Sequence, residues 1–280
     1  MKVRKFLVVL ILLFSSLFFS CDSILDMLGL SSNGSTLFTN TEAVEAMKSA
    51  LNIGAESSSK QLSKEDAYYG NDLLKIFLPD EVYSALAAVD KLKGLEVFGF
   101  DIGSAVSNLS GKLVENVVLS VNRSAEHAAK DVVPIFSKAI TGMTVQDGIK
   151  IVTGEDDAAT EYLKENTYSE LMKLYQPMMD EVLKKDLIGE VSANEAWNNL
   201  TEEFNNIVNN DKVKVAAALA NKTLPPPINT NLSEYVTGKA LDGLFVKVEE
   251  EEGKIRENPF GYASNIVQKV FGAVKNGLGS

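Results

Sequence analysis

Two arginines raise the first chemical question in this chain. Beyond residue 20 it carries twenty-two lysines but only Arg123 and Arg256. A chain that otherwise meets its need for positive charge with lysine keeps arginine where a planar, multi-donor fork is required. Each has a carboxylate at helical spacing: Glu126 lies three residues after Arg123, and Glu252 four before Arg256, the favourable order for a helical pair. Two roles follow. The arginines either tie helices together as partly buried ion pairs, or bind an anionic group of a ligand.

Asn122-Arg-Ser-Ala-Glu-His127 is the densest polar cluster. In a helix Arg123 and Glu126 share a face with Lys130, and Asn122 lies one turn before Glu126. His127 beside Glu126 suggests acid–base work, although a lone helical histidine serves equally as an exposed residue or a core hydrogen-bonder. A second cluster, Glu155-Asp-Asp-Ala-Ala-Thr160, is followed by Tyr162. Its spacing does not match the Asp-x-Asp-x-Asp-Gly calcium loop. It reads as an Asp cap with acidic residues at a helix N-terminus, where carboxylates are stabilising. The candidate set for binding or structure is therefore Asn122, Arg123, Glu126, His127, Asp156, Asp157, Thr160, Tyr162, Glu252 and Arg256.

No metal and no cofactor is called for. With one cysteine and one histidine, a disulfide within the chain is impossible and a structural zinc site is close to excluded. The sequence has no Gly-x-Ser-x-Gly elbow, phosphate-binding glycine loop or paired-histidine motif. Carboxylate-pair hydrolysis stays open, because such pairs are not recognisable from spacing, so no catalytic residue is assigned.

The elements that must position these residues are helical almost throughout. Capping boxes are expected at Thr39-Asn-Thr-Glu42, Thr144-Val-Gln-Asp147, Thr167-Tyr-Ser-Glu170 and Ser192-Ala-Asn-Glu195. The clearest helix is predicted from about Gly103 to Asp131, with Val106, Leu109, Leu113, Val117, Val121, Ala125, Ala128 and Val132 on one face. Small residues at Ser124, Ala125, Ala128 and Ala129 allow a second helix close approach, and Pro134 marks a break. A second long helix is predicted from Ser233 to Glu257. Asp66 to Pro79 reads as a loop, with Ile76-Phe77-Leu78 plugging the core, and Asn221 to Asn231 as an extended connector. A small hairpin around Leu95 to Phe100 is allowed.

The N-terminus reads as a secretory leader. Lys2, Arg4 and Lys5 precede an uncharged run of fourteen residues, Phe6 to Phe19. That run is short of the roughly 18 residues a spanning helix needs and within the range of a leader. It ends at Leu17-Phe-Phe-Ser-Cys21, which resembles the lipobox of bacterial lipoproteins. The resemblance implies acylation of Cys21 and cleavage after Ser20. Loss of the leader leaves 24 basic against 38 acidic residues, a net charge of −14. Such a surface repels phosphates, so nucleic acid is not an expected partner.

Further along, Lys75-Ile-Phe-Leu-Pro79, Asn122-Arg-Ser-Ala-Glu126, Asp157-Ala-Ala-Thr-Glu-Tyr162, Leu241-Asp-Gly-Leu-Phe245, Ile255-Arg-Glu-Asn-Pro259 and Val270-Phe-Gly272 appear in order. Together they resemble an uncharacterised family of bacterial envelope proteins, domain-of-unknown-function family 4197. The resemblance spans about Thr41 to Gly272. Ser124 stands where the family tends to have alanine, and Asn209 to Thr230 matches more loosely. The resemblance implies a single, mainly helical domain and no known activity.

The expected organisation is a signal peptide at 1–20, a lipidated cysteine and flexible tether at 21–40, an all-α, bundle-like domain at 41–272 and a tail at 273–280. The expected protein is a lipoprotein of the cell envelope, anchored in a membrane through Cys21 on its extracytoplasmic, periplasmic side. Its helical domain would bind a small molecule or an envelope protein without catalysis. A carboxylate-dependent hydrolase and a structural envelope lipoprotein are the alternatives.

Overall fold

The computed structural model describes residues 37–94, 96–97, 100–101, 111–146 and 148–278. The leader, Cys21, most of the tether, the first turns expected from Gly103, and Asp147 of one expected capping box lie outside them.

The fold is all-α. Its helices are α1 (Asn40–Leu62), α2 (Asp80–Asp90), α3 (Gly111–Ala128), α4 (Val133–Gly142), α5 (Gly148–Val152), α6 (Ala158–Leu183), α7 (Ala193–Asn209), α8 (Asp211–Leu219), α9 (Leu232–Glu257) and α10 (Asn265–Leu278). A two-residue antiparallel pairing joins β1 (Glu96–Val97) to β2 (Phe100–Asp101), with Val97 opposite Phe100. Among the described residues no helix is long and apolar enough to cross a membrane.

The described residues form two compact units. One lies within Met1–Ala50, Val145–Ala158 and Gly253–Ser280, the other within Leu51–Thr144 and Ala159–Glu252. Helices α1 and α9 contribute residues to both.

The larger unit contains α3. Val117, Val121, Ala125 and Ala128 are buried on the expected face. Helix α7 packs along α3, with Trp197, Leu200 and Phe204 buried on α7. The helix ends in a 3-10 turn, Ala129–Asp131, and Pro134 stands in the first turn of α4. Proline tolerates that place because an N-terminal N–H has no helical acceptor. The segment from Ser63 to Pro79 is a loop, as expected, and Ile76 and Leu78 plug the core. Phe77 between them does not: it is 48% exposed. Successive side chains of an extended segment point to opposite faces, so three in a row could not all enter one core.

Two capping boxes form as written, at Thr39–Glu42 and Ser192–Glu195. Thr167–Glu170 starts no helix. It lies inside α6, where the buried Thr167 hydroxyl donates to the Leu163 carbonyl at 2.5 Å. A threonine can make that bond to its own helix, so a cap signal of one residue type is ambiguous.

In the smaller unit, Asn40 at the start of α1 caps α5. Its Oδ1 accepts from Gly148 N at 2.8 Å and Ile149 N at 3.2 Å, and its Nδ2 donates to the Gln146 carbonyl. A Cβ on Gly148 would lie 2.6 Å from the Val44 side chain, so the glycine permits this approach.

Candidate functional site

The candidate residues fall into three separate constructions. The first is built on α3, which presents Asn122, Arg123, Glu126 and His127 on adjacent turns. Asn122 and Glu126 are buried. Asn122 holds the backbone of an extended segment: its Oδ1 accepts from Ile76 N at 2.9 Å, and its Nδ2 donates to Ile76 O at 2.8 Å and to Val118 O at 2.7 Å. One amide side chain thus satisfies both backbone groups of one residue, as the opposing residue of a hydrogen-bonded antiparallel pair does.

Glu126 holds the adjoining loop. Its Oε1 accepts from Tyr68 N and Tyr69 N, at 3.1 and 3.2 Å. Its Oε2 takes Arg123 Nη1 at 2.7 Å, and Arg123 Nη2 reaches Asp66 at 2.7 Å. Burial works to lower the Arg123 pKa, but the hydrogen bonds and charges of Glu126 and Asp66 outweigh it and raise it. Tyr68 is fully buried, its ring against Gly243 and its hydroxyl donating to Ala240 O at 2.8 Å. A Cβ at Gly243 would sit 2.6 Å from that ring. Tyr68 was not among the expected site residues, and nothing in its own neighbourhood marks it. Its signal is the glycine far along the chain that makes room for it.

His127 faces a cavity of about 260 Å³ shared with Glu65, Arg123, Lys130 and Leu187. Its Nε2 lies 3.3 Å from Lys185 Nζ. Burial first, then the charges of Lys185 and Lys130, hold its pKa below the ordinary value.

The second construction caps α6. The acidic run before that helix was expected to supply its cap, yet the donors go elsewhere. Buried Glu252, on α9, accepts from Ala159 N at 3.0 Å, Thr160 N at 2.7 Å and the Thr160 hydroxyl at 2.6 Å. A carboxylate meets free N–H groups and the positive end of a helix there. Asp156 is exposed and Asp157 half-buried before the first turn. Tyr162 donates its hydroxyl to Thr144 O at 2.8 Å.

The third lies in the smaller unit, where Arg256 serves the other end of a helix. Its Nη1 donates to Val152 O at 2.8 Å and its Nη2 to Ile151 O at 3.1 Å, the last carbonyls of α5. The guanidinium stands 5.2 Å from the centre of the Phe271 ring. A cation at a helix C-terminus is favourable, and the fork bonds two carbonyls at once.

A further cavity uses none of these side chains directly. A groove of about 590 Å³ runs between Leu73–Glu81 and one face of α9, formed by Tyr235, Lys239, Asp242, Gly243 and Val246. Leu73 is 91% exposed on its rim, beside Phe77 and Val246. The Tyr235 hydroxyl donates to Phe77 O at 2.9 Å. Lys75 Nζ lies 3.9 Å from the centre of the Tyr69 ring. Tyr168 donates to Asp242 at 3.1 Å, and burial together with that carboxylate pushes its hydroxyl up to about 12. Among the described residues no group of three or more His, Cys, Asp or Glu side chains is placed to hold a metal ion.

The architecture defines an all-α protein whose strongest polar clusters hold loops and helix ends. The chain belongs to the family described as protein of unknown function (DUF4197), which matches residues 37–272. No significant match exists among curated proteins or among solved structures.

Proposed function

We propose that this protein is a lipid-anchored bacterial envelope lipoprotein, and that its helical domain binds a ligand or partner in the groove between Leu73–Glu81 and α9. The observation that carries the binding reading is the groove itself. Its volume of about 590 Å³ lies in the range of about 300–1,000 Å³ usual for ligand sites. Apolar side chains stand exposed along it at Leu73, Phe77 and Val246, where burial by an occupant would be favourable.

The polar clusters argue for structural work rather than hydrolysis. Glu126 and Glu252 each accept hydrogen bonds from two backbone N–H groups, which is how a carboxylate closes a loop or a helix end. Anchoring is supported by Cys21 at the end of an apolar run behind three positive charges. Each buried methylene of an acyl chain contributes about 0.8 kcal/mol, so two or three chains hold firmly.

Two experiments test this reading. Membrane fractionation in the native host is expected to place wild type with membranes and Cys21→Ala in the soluble fraction; a soluble wild type refutes anchoring. Native mass spectrometry of protein purified from that host is expected to show a retained ligand or partner that Tyr235→Ala releases. A clean apo mass with no partner on crosslinking refutes binding.

A further inference from the structure

Resting on the groove being a binding site, we propose that it takes an extended, apolar peptide segment carrying basic residues, which pairs as a parallel strand with Lys75-Ile76-Phe77. The argument starts from the backbone. In an extended chain successive residues present their N–H and C=O groups to opposite edges. Ile76 presents both of its groups to Asn122 on the core side. Lys75 and Phe77 therefore present theirs to the other edge, where the groove lies. On that edge Phe77 O accepts the Tyr235 hydroxyl and Lys75 N is bonded to Asn71 O.

Two groups remain there, Lys75 C=O and Phe77 N–H, and neither has a protein partner among the described residues. A carbonyl and an N–H on either side of one residue are the pair that a parallel strand engages. One residue of the incoming chain donates to the first and accepts from the second. Strand addition of this kind supplies affinity through main-chain bonds, while adjoining pockets read alternate side chains.

The walls set the chemistry of the occupant. Leu73, Phe77 and Val246 offer exposed apolar surface. The groove carries three carboxylates, Asp80, Glu81 and Asp242, against two amines, Lys75 and Lys239. Both amines are held over aromatic rings, those of Tyr69 and Tyr235. With a net charge of −11 for the whole chain, long-range steering favours a cationic segment as well.

The test is selection of phage-displayed random decapeptides on full-length protein in detergent, followed by titration of the enriched peptides in labelled form. Enrichment of sequences that combine apolar and basic residues is expected. Phe77→Pro removes the N–H that the pairing needs, whereas Phe77→Ala removes only the ring. Binding is expected to fall roughly fivefold to tenfold more in the proline variant, the size of one backbone hydrogen bond. Circular dichroism melting confirms that both variants fold, and N-methylation of single amides in the winning peptide provides the same test from the other side. Equal affinities of the two Phe77 variants, enrichment of acidic sequences, or no enrichment at all overturns the proposal. A small molecule retained by the native protein, without any peptide binding, would overturn it and leave the groove-binding reading intact.

Discussion

Asn122 and Asn205 do the same work in two different settings. Each uses its side-chain amide to bond both the N–H and the C=O of an isoleucine in an extended segment. Asn122 holds Ile76 at 2.9 and 2.8 Å, and Asn205 holds Ile228 at 2.8 and 3.1 Å. The first pair is buried and the second only partly so. The first belongs to stretches that carry the family resemblance, while Ile228 lies where that resemblance is loosest. The bonds are alike in geometry, so the difference lies in what replaces them. Water can reach the second pair when its asparagine is lost, but not the first. An unsatisfied buried backbone group costs its full desolvation, about 1–3 kcal/mol.

The largest expected effect follows directly. Asn122→Ala should lower the free energy of unfolding by about 3 kcal/mol, measured by chemical denaturation, because Ile76 N–H and C=O both lose their partner. A cost no greater than that of Asn205→Ala would break the comparison. One turn along α3, Glu126→Gln keeps an acceptor for the Tyr68 and Tyr69 amides but removes the charge facing Arg123. A loss of about 2 kcal/mol is expected, since it leaves a largely buried guanidinium short of one counter-charge. A neutral result in unfolding experiments would mean that hydrogen bonding alone holds the loop.

Asn205→Ala is expected to cost about 1 kcal/mol, the net value of ordinary hydrogen bonds, and to leave proteolytic sensitivity raised only near residues 221–231. Cleavage spreading to the Ser63–Pro79 loop would show that the two clamps are coupled. The smallest effect belongs to His127, at the edge of the buried clamp. Its pKa is below the ordinary 6.5, so the unfolded chain binds the proton first as pH falls. Its contribution to stability is intact above about 6.5 and is lost as pH falls through the lower folded value. His127→Gln should therefore flatten the fall in melting temperature below pH 6.5. An unchanged slope would show that neither burial nor the nearby lysines hold its pKa down.

Legibility followed sequence distance. The boxes at Thr39–Glu42 and Ser192–Glu195 could be read because their partners are three residues apart. The buried face of α3 and the break before Pro134 could be read because periodicity and proline geometry are local. The arginine argument led to two real junctions and to Glu126 as one partner of Arg123, but not to Asp66 or to the carbonyls of α5. Arg123 meets Asp66 as well as Glu126, and Arg256 meets carbonyls of α5. The expected Asp cap of α6 gave way to Glu252, ninety-two positions beyond Thr160. The groove had no signature, since its open edge is a property of backbone direction.

From the residues alone came the all-α class, the main helices, the loop from Asp66 to Pro79 and the family. The class, the helices and the loop rest on interactions between neighbours in the chain, which spacing encodes, whereas the family rests on the resemblance of its ordered motifs. Folding alone decided which polar side chain meets which distant backbone group, as with Asn122 and Ile76, Glu126 and Tyr68, or Glu252 and Thr160. A buried N–H must find an acceptor, but any nearby carboxylate or amide can serve, and only three-dimensional packing selects the one that is near.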